Sequence, residues 1–123
     1  MVVRELMQIL DARLLKGEER LEDEVKTACG ADLMSDVLAF VKEKAVLITG
    51  LTNVHVIRTA EMLDIRCVVF ARGKIPSEEV LEEAEEAGIA VLTTQHTTYT
   101  TCGLLYQAGI QGTEKNAVTK ENA

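Results

Sequence analysis

Aromatic side chains are scarce in this chain, at 3% of residues, and tryptophan is absent. The core must therefore be built from Val, Leu, Ile, Ala and Met. There is also no interleaving of aromatic and basic residues of the kind that stacks on single strands. Basic residues are the minority charge, with 13 Lys and Arg against 20 Asp and Glu, a net charge of −7. Such a chain has no broad basic face to neutralise phosphates, so general nucleic-acid binding is excluded. Long apolar runs are lacking too. None approaches the roughly 20 residues that span a bilayer. The opening segment MVVRELMQILDARLL sets Arg4, Glu5 and Asp11 among its apolar residues, which is unlike a signal peptide. No membrane partner is expected, and a cytoplasmic location is. The cysteines, Cys29, Cys67 and Cys102, are odd in number and far apart, which fits a reduced protein and not a disulfide scaffold. The two histidines, His55 and His96, occur without HxxxH, CxxC or HExxH spacing. No metal and no other cofactor is therefore expected.

What is present is an ordinary globular content of apolar residues, 47% of 123 positions, enough for one domain. Val3 to Leu10 reads as a short helix, Ala12 to Leu15 as a strand and Glu24 to Ala28 as a second strand. Leu33, Val37, Leu38 and Val41 recur at helical spacing, which predicts a helix from Asp32 to Lys42 with Asp32 or Ser35 as its cap. From Ala45 the pattern becomes regular. Val46-Leu47-Ile48 is apolar without alternation, as in a strand covered on both faces, and a helix over about Asn53 to Asp64 follows. Cys67 to Phe70 is the next strand. Ser77 caps a helix that carries Glu78 and Glu79 in its first turn and closes at Gly88. Ile89 to Leu92 is a third strand, and Thr97 to Ala108 a last helix with Thr101, Leu104, Leu105 and Ala108 inward. Strand–helix units thus repeat at roughly 22 residues, which predicts parallel strands joined by right-handed crossovers. Residues 111–123 are polar and read as a disordered tail.

Ligands of open parallel sheets sit beyond the carboxyl ends of the strands. Three loops leave those ends. The first carries Thr49, Gly50, Thr52 and Asn53, the second Arg72, Gly73 and Lys74, and the third the run from Thr93 through His96 to Thr97 and Thr98. Hydroxyls, amides, backbone N–H groups and two cations could hold a small anion there. The first loop is neither GxxxxGK[ST] nor GxGxxG, so phosphoryl transfer at that turn is not expected. Cys67 reads as packing, and Cys102 has no evident base beside it. The acidic run EEVLEEAEE is a solvated helix face. Asp32 and Asp36 share a helix face and could pair, but capping and solvation account for them.

The combination VLITGLTN, IRTAEM, VVFARGKIPSEEVLEEAEEAGIAVLTT and TTYTTCGLLYQAG, with CGADLMSDVLAFV upstream, resembles the DRTGG domain over residues 1–110. The resemblance implies an α/β module found beside CBS domains, in the N-terminal part of some phosphotransacetylases, and alone. It is similar to the N-terminal domain of HPr kinase/phosphorylase and, more distantly, of Mur ligases, proteins in which the catalytic machinery lies in other domains. The signature is altered here. Thr52 and Asn53 stand where its Asp-Arg falls, Arg72-Gly73 replaces its Gly-Gly, and Thr97 or Thr98 retains its Thr.

The expected fold is a three-layer α/β/α domain with a largely parallel sheet over residues 1–110, in a stand-alone form of the module. The expected function is a non-catalytic regulatory or ligand-sensing module. A nucleotide or phosphorylated metabolite would be held by Thr49, Gly50, Thr52, Asn53, Arg72, Lys74, His96 and Thr97, in a homo-oligomer, most simply a dimer. The alternatives are an interaction subunit docking on a protein partner, or a small enzyme using His96 or His55.

Overall fold

Three segments that are buried at every position set the sheet: Ala45–Thr49 (β3), Cys67–Phe70 (β4) and Ala90–Thr93 (β5). Strands apolar throughout must be covered on both faces, and helical crossovers do this while keeping the strands parallel. The computed structural model, which describes residues 1–40 and 44–112, has that arrangement. β3 pairs in parallel with β4, and β4 with β5. Thr27–Gly30 (β2) adds in parallel beside β3, and Arg13–Lys16 (β1) adds antiparallel beside β5. The order is β1-β5-β4-β3-β2.

Helices cover both faces. Met34–Phe40 (α2), Val54–Met62 (α3) and Glu78–Ala87 (α4) lie on one, where Val56, Ile57, Ala60, Val80, Leu81 and Ala84 meet Leu47, Val68, Phe70 and Val91. Val3–Leu10 (α1) and Thr98–Gln107 (α5) lie on the other, where Val3, Leu6, Leu10 and Leu105 meet Val46, Ile48, Val69 and Leu92. The caps follow local chemistry. Ser77 accepts from the Val80 N–H, Gly88 closes α4 at φ 72°, and the Glu5 carboxylate accepts from the Val2 N–H at 2.9 Å.

Four expectations are corrected. The second strand is Thr27–Gly30 and not Glu24 to Ala28, because pairing from Thr27↔Ala45 to Gly30↔Ile48 fixes its register. Glu24 instead bridges to Val2 and forms an ion pair with Lys44. The helix expected over Asp32 to Lys42 runs Met34–Phe40, and Val41 and Lys42 fall outside the described residues. Val37 is buried, but Leu33, which precedes the helix, is 62% exposed, and Leu38 is 48% exposed, since so short a helix has one strip of contact. Ala108 is exposed, and Ile110 is buried in the core below it. Gln111 pairs with Thr27, and its carbonyl accepts from the Ala28 N–H at 2.9 Å, so the expected tail does not begin at 111. Its remainder, 113–123, lies outside the described residues.

A tight approach fixes the β1 edge. The register shifts between Leu14 and Lys16, and Gly17 follows at φ 94°. A Cβ there would stand 2.4 Å from the Ala90 Cα. Gly17→Ala therefore combines a left-handed backbone with an overlap against main chain. It should lower the unfolding free energy by about 2–4 kcal/mol. Urea denaturation checks this; a loss below about 0.5 kcal/mol would mean that β1 shifts freely.

Candidate functional site

Because β2 to β5 run the same way, the loops that follow them open on one edge. The hydroxyls expected at that edge turn out to be the wiring between the loops. Thr49 is fully buried; its Oγ1–H donates to the Asp32 carboxylate at 2.9 Å and its oxygen accepts from the Leu51 N–H at 3.1 Å. The same carboxylate oxygen accepts from the Gly50 N–H at 2.9 Å. Asn53 caps α3 by accepting from the His55 N–H, and Thr97 caps α5 by accepting from the Thr100 N–H. Thr93 donates to the Lys74 carbonyl, and Thr94 to the Leu10 carbonyl, both at 2.8 Å.

The second and third loops are tied by main chain. The Arg72 N–H donates to the His96 carbonyl at 2.7 Å and the Gly73 N–H to the Thr94 carbonyl at 2.6 Å. Lys74 N–H closes a turn onto the Ala71 carbonyl, with positive φ at both central residues, 59° at Arg72 and 66° at Gly73. Such a turn accepts glycine easily and arginine at a cost of about 1–2 kcal/mol. At Gly73 a Cβ would stand 2.7 Å from the end of the Gln95 side chain, which can swing aside, so glycine is favoured there chiefly by its positive φ.

Charge separates this edge from the rest of the surface. Among the described residues, Arg4, Lys16, Arg20, Lys44, Arg58 and Arg66 each hold an ion pair. Arg13, Lys26, Arg72 and Lys74 hold none. All of the second group except Lys26 stand at the carboxyl edge, since Arg13 is registered opposite Thr93 on the antiparallel edge strand. Asp32 is the nearby negative charge for Arg72 and Lys74, though it forms no ion pair with either. Its carboxyl is held below the usual carboxylate range by the hydrogen bonds from Gly50 and Thr49, with smaller attraction from Lys74 and Arg72. Sequence reasoning missed Arg13, whose position depends on strand direction, and read Asp32 as a helix cap or as the partner of Asp36. Its carboxylate goes to Thr49 and Gly50 instead.

Of the expected residues, Thr49, Gly50, Arg72, Lys74, His96 and Thr97 belong to this connected set, and Thr52 and Asn53 lie between Gly50 and α3. His55 is exposed in the first turn of α3. Among the described residues neither imidazole makes a hydrogen bond, and no group of acidic, His and Cys side chains is placed to hold a metal. Burial pushes the Cys67 thiol up to about 12 and raises that of Cys102, so neither is a ready thiolate. A cleft of about 360 Å³ lies at the opposite edge, between Asp23, Glu24, Lys44, Asp64, Arg66 and Cys67. Its cations are matched by neighbours, Lys44 by Glu24 and Arg66 by Asp64, so it offers an anion less than the carboxyl edge does.

The comparisons agree with the architecture. A family model for the DRTGG domain matches residues 5–108. Among solved structures the chain is similar to the CBS and DRTGG domains of the regulatory region of Clostridium perfringens pyrophosphatase, complexed with its activator diadenosine tetraphosphate. The TM-score is 0.72 at 24% identity, covering 87% of this chain and 46% of that one. At that identity the likeness is one of fold, and this chain spans about half the length of that region. No helix among the described residues is long and apolar enough to cross a membrane.

Asp32→Ala should lower stability at pH 7 by about 1 kcal/mol, the low end for a charged acceptor because the carboxylate is solvent-exposed. The folded-state pKa lies below the unfolded one, so the contribution is complete above the ordinary carboxylate range and is lost as pH falls through the folded value. Urea curves of wild type and variant should therefore converge in acid, below about pH 4. An equal gap at pH 7 and in acid would show that charge on Asp32 does not matter.

Proposed function

This chain belongs to the DRTGG domain family, and on that footing we propose that it is a non-catalytic ligand-sensing module. It binds a nucleotide or phosphorylated metabolite at the carboxyl edge of its sheet. The observation that carries the reading is that Arg72 and Lys74, and Arg13 at the same end of the sheet, stand in no ion pair among the described residues, in a chain whose net charge is −7. Cations outside any ion pair on an acidic protein draw an anion by field and by contact. Arginine at position 72 sharpens it. The turn would be more stable with glycine, so the guanidinium is kept at a conformational cost that its presentation to a ligand explains.

In this reading Arg13, Arg72 and Lys74 meet the anion, while the N–H groups at the starts of α3 and α5 and the hydroxyl of Thr52 complete its shell. Thr49, Gly50, Asn53 and Thr97 act mainly by holding the loops, and His96 through its carbonyl on Arg72. The pyrophosphatase region binds a polyphosphate activator, which supports the same ligand class here. Among the described residues no partner orients either imidazole, so the acid–base alternative has less support than the ligand-sensing one. The module works in a homo-oligomer in a cytoplasmic setting.

Native mass spectrometry beside a denatured sample tests the site, with diadenosine tetraphosphate and ATP as added probes. An extra mass should appear, vanish on denaturation, and be lost in Arg72→Ala. Arg72→Gly should also lose it while gaining up to about 1 kcal/mol of stability, because relief of the left-handed strain exceeds the added chain entropy of glycine. Retention of the mass in both variants would remove Arg72 from the site. A less stable Arg72→Gly would remove the strain argument.

A further inference from the structure

Among the described residues the α1–α5 layer has two helices, and none of those residues covers the outer face of α5. Both tyrosines of the chain stand on it, Tyr99 at 88% and Tyr106 at 69% exposure. Seven residues apart, with Gly103 between them, they share one face of the helix. Glycine is among the poorest helix formers, and a Cβ on Gly103 would have nothing within 4 Å. No packing among the described residues therefore accounts for it. The opposite side of the helix is well fitted: a Cβ on Gly30 of β2 would meet the Cys102 sulfur at 2.6 Å. The outer face forms a shallow apolar groove of about 540 Å³ running from Tyr99 to Gln107.

α5 also differs from every other helix in charge. Its sequence, TYTTCGLLYQ, has no Asp, Glu, Lys or Arg, whereas α1, α2, α3 and α4 all carry them. A two-fold contact sets each surface against its own copy. On a protein with seven excess negative charges, most self-contacts bring like charges together, and an uncharged face avoids that penalty. The face is also self-complementary in shape. Tyrosines flank a glycine, so helices crossing antiparallel near Gly103 can approach closely there and set Tyr99 of one copy beside Tyr106 of the other. The chain beyond the described residues is a poor alternative cover, since residues 113–123 (TEKNAVTKENA) offer only Ala117 and Val118 as substantial apolar groups.

We infer that the outer face of α5, centred on Gly103 between Tyr99 and Tyr106, is where two copies of this chain associate. The inference rests on the homo-oligomer part of the proposed function and not on the ligand site. One short helix on each side covers less than the about 800 Å² per partner of a standard interface. The dimer should therefore dissociate on dilution, with a Kd on the order of micromolar.

Sedimentation velocity over a range of concentrations tests it, with Tyr106→Glu as the probe and Met62→Glu, at another exposed apolar site on α3, as the control. Tyr106→Glu should raise the dissociation constant at least about tenfold, and Met62→Glu should leave it unchanged. Far-ultraviolet circular dichroism verifies that both fold, as substitutions at exposed positions should. Gly103→Cys gives an independent arm: mild oxidation should yield a covalent dimer, while Met62→Cys should not. A dimer that survives Tyr106→Glu, or that cross-links no better through Gly103→Cys than through Met62→Cys, overturns this surface alone. A wild type that stays monomeric to roughly millimolar overturns both the surface and the homo-oligomer reading. The anion test at Arg72 stands apart from either result.

Discussion

Parallel pairing of β3, β4 and β5, buried on both faces, is the constraint on which the rest of the molecule depends. Parallel neighbours cannot be joined by a tight hairpin, so each connection must cross the sheet as a helix. Those helices supply the two outer layers that the apolar strands require. Because the strands run together, their following loops must open on one edge. The position of the candidate site is thus a consequence of strand direction before any residue there is considered. The same constraint leaves the lateral edges of the sheet to β1 and β2, and these bring in the N-terminal third of the chain.

Strand direction also explains what was legible in the sequence. From Ala45 onward each element carries its own punctuation: an unbroken apolar strand, a polar loop, Ser77 or Thr97 as a cap, Gly88 as a stop. The elements there were readable to within a residue or two, and so was the edge they share. The N-terminal third lacks such signals. The register of β2 is set by hydrogen bonds to Ala45 through Ile48, residues that local reading of Glu24 to Ala28 could not weigh. Likewise Arg13 stands at the carboxyl edge only because β1 runs antiparallel, and Asp32 meets Thr49 and Gly50 only because β2 ends beside β3. Both contributions come from long-range pairing, so no local pattern announces them.

The threonines at the carboxyl edge show how a correct location can be found for an incomplete reason. Their abundance looked like a set of ligand contacts. Thr49, Thr93, Thr94 and Thr97 instead satisfy Asp32, the Lys74 and Leu10 carbonyls and the start of α5. A loop cluster at a strand edge has many main-chain groups with no ladder partner, and short β-branched hydroxyl residues satisfy them with little loss of rotamer freedom. With the hydroxyls committed to the framework, the groups left facing outward are the cations. An edge whose loops are tied in advance, partly through the Asp32 carboxylate, would lower the ordering cost of any ligand it takes.

The loop between β5 and α5 joins the two proposals mechanically. His96 holds Arg72 through its carbonyl, and Thr97, the next residue, caps the helix that bears Tyr99, Gly103 and Tyr106. An anion drawn onto Arg72 and the first turn of α5 would load one end of the same helix whose outer face is proposed to meet a second copy. Coupling between sites is reciprocal: if the ligand favours one placement of α5, association that favours this placement must tighten the ligand by the same factor. The altered signature residues fit that economy of parts. Arg72 stands where the family has glycine, so here the turn that fixes the loop geometry also carries the charge.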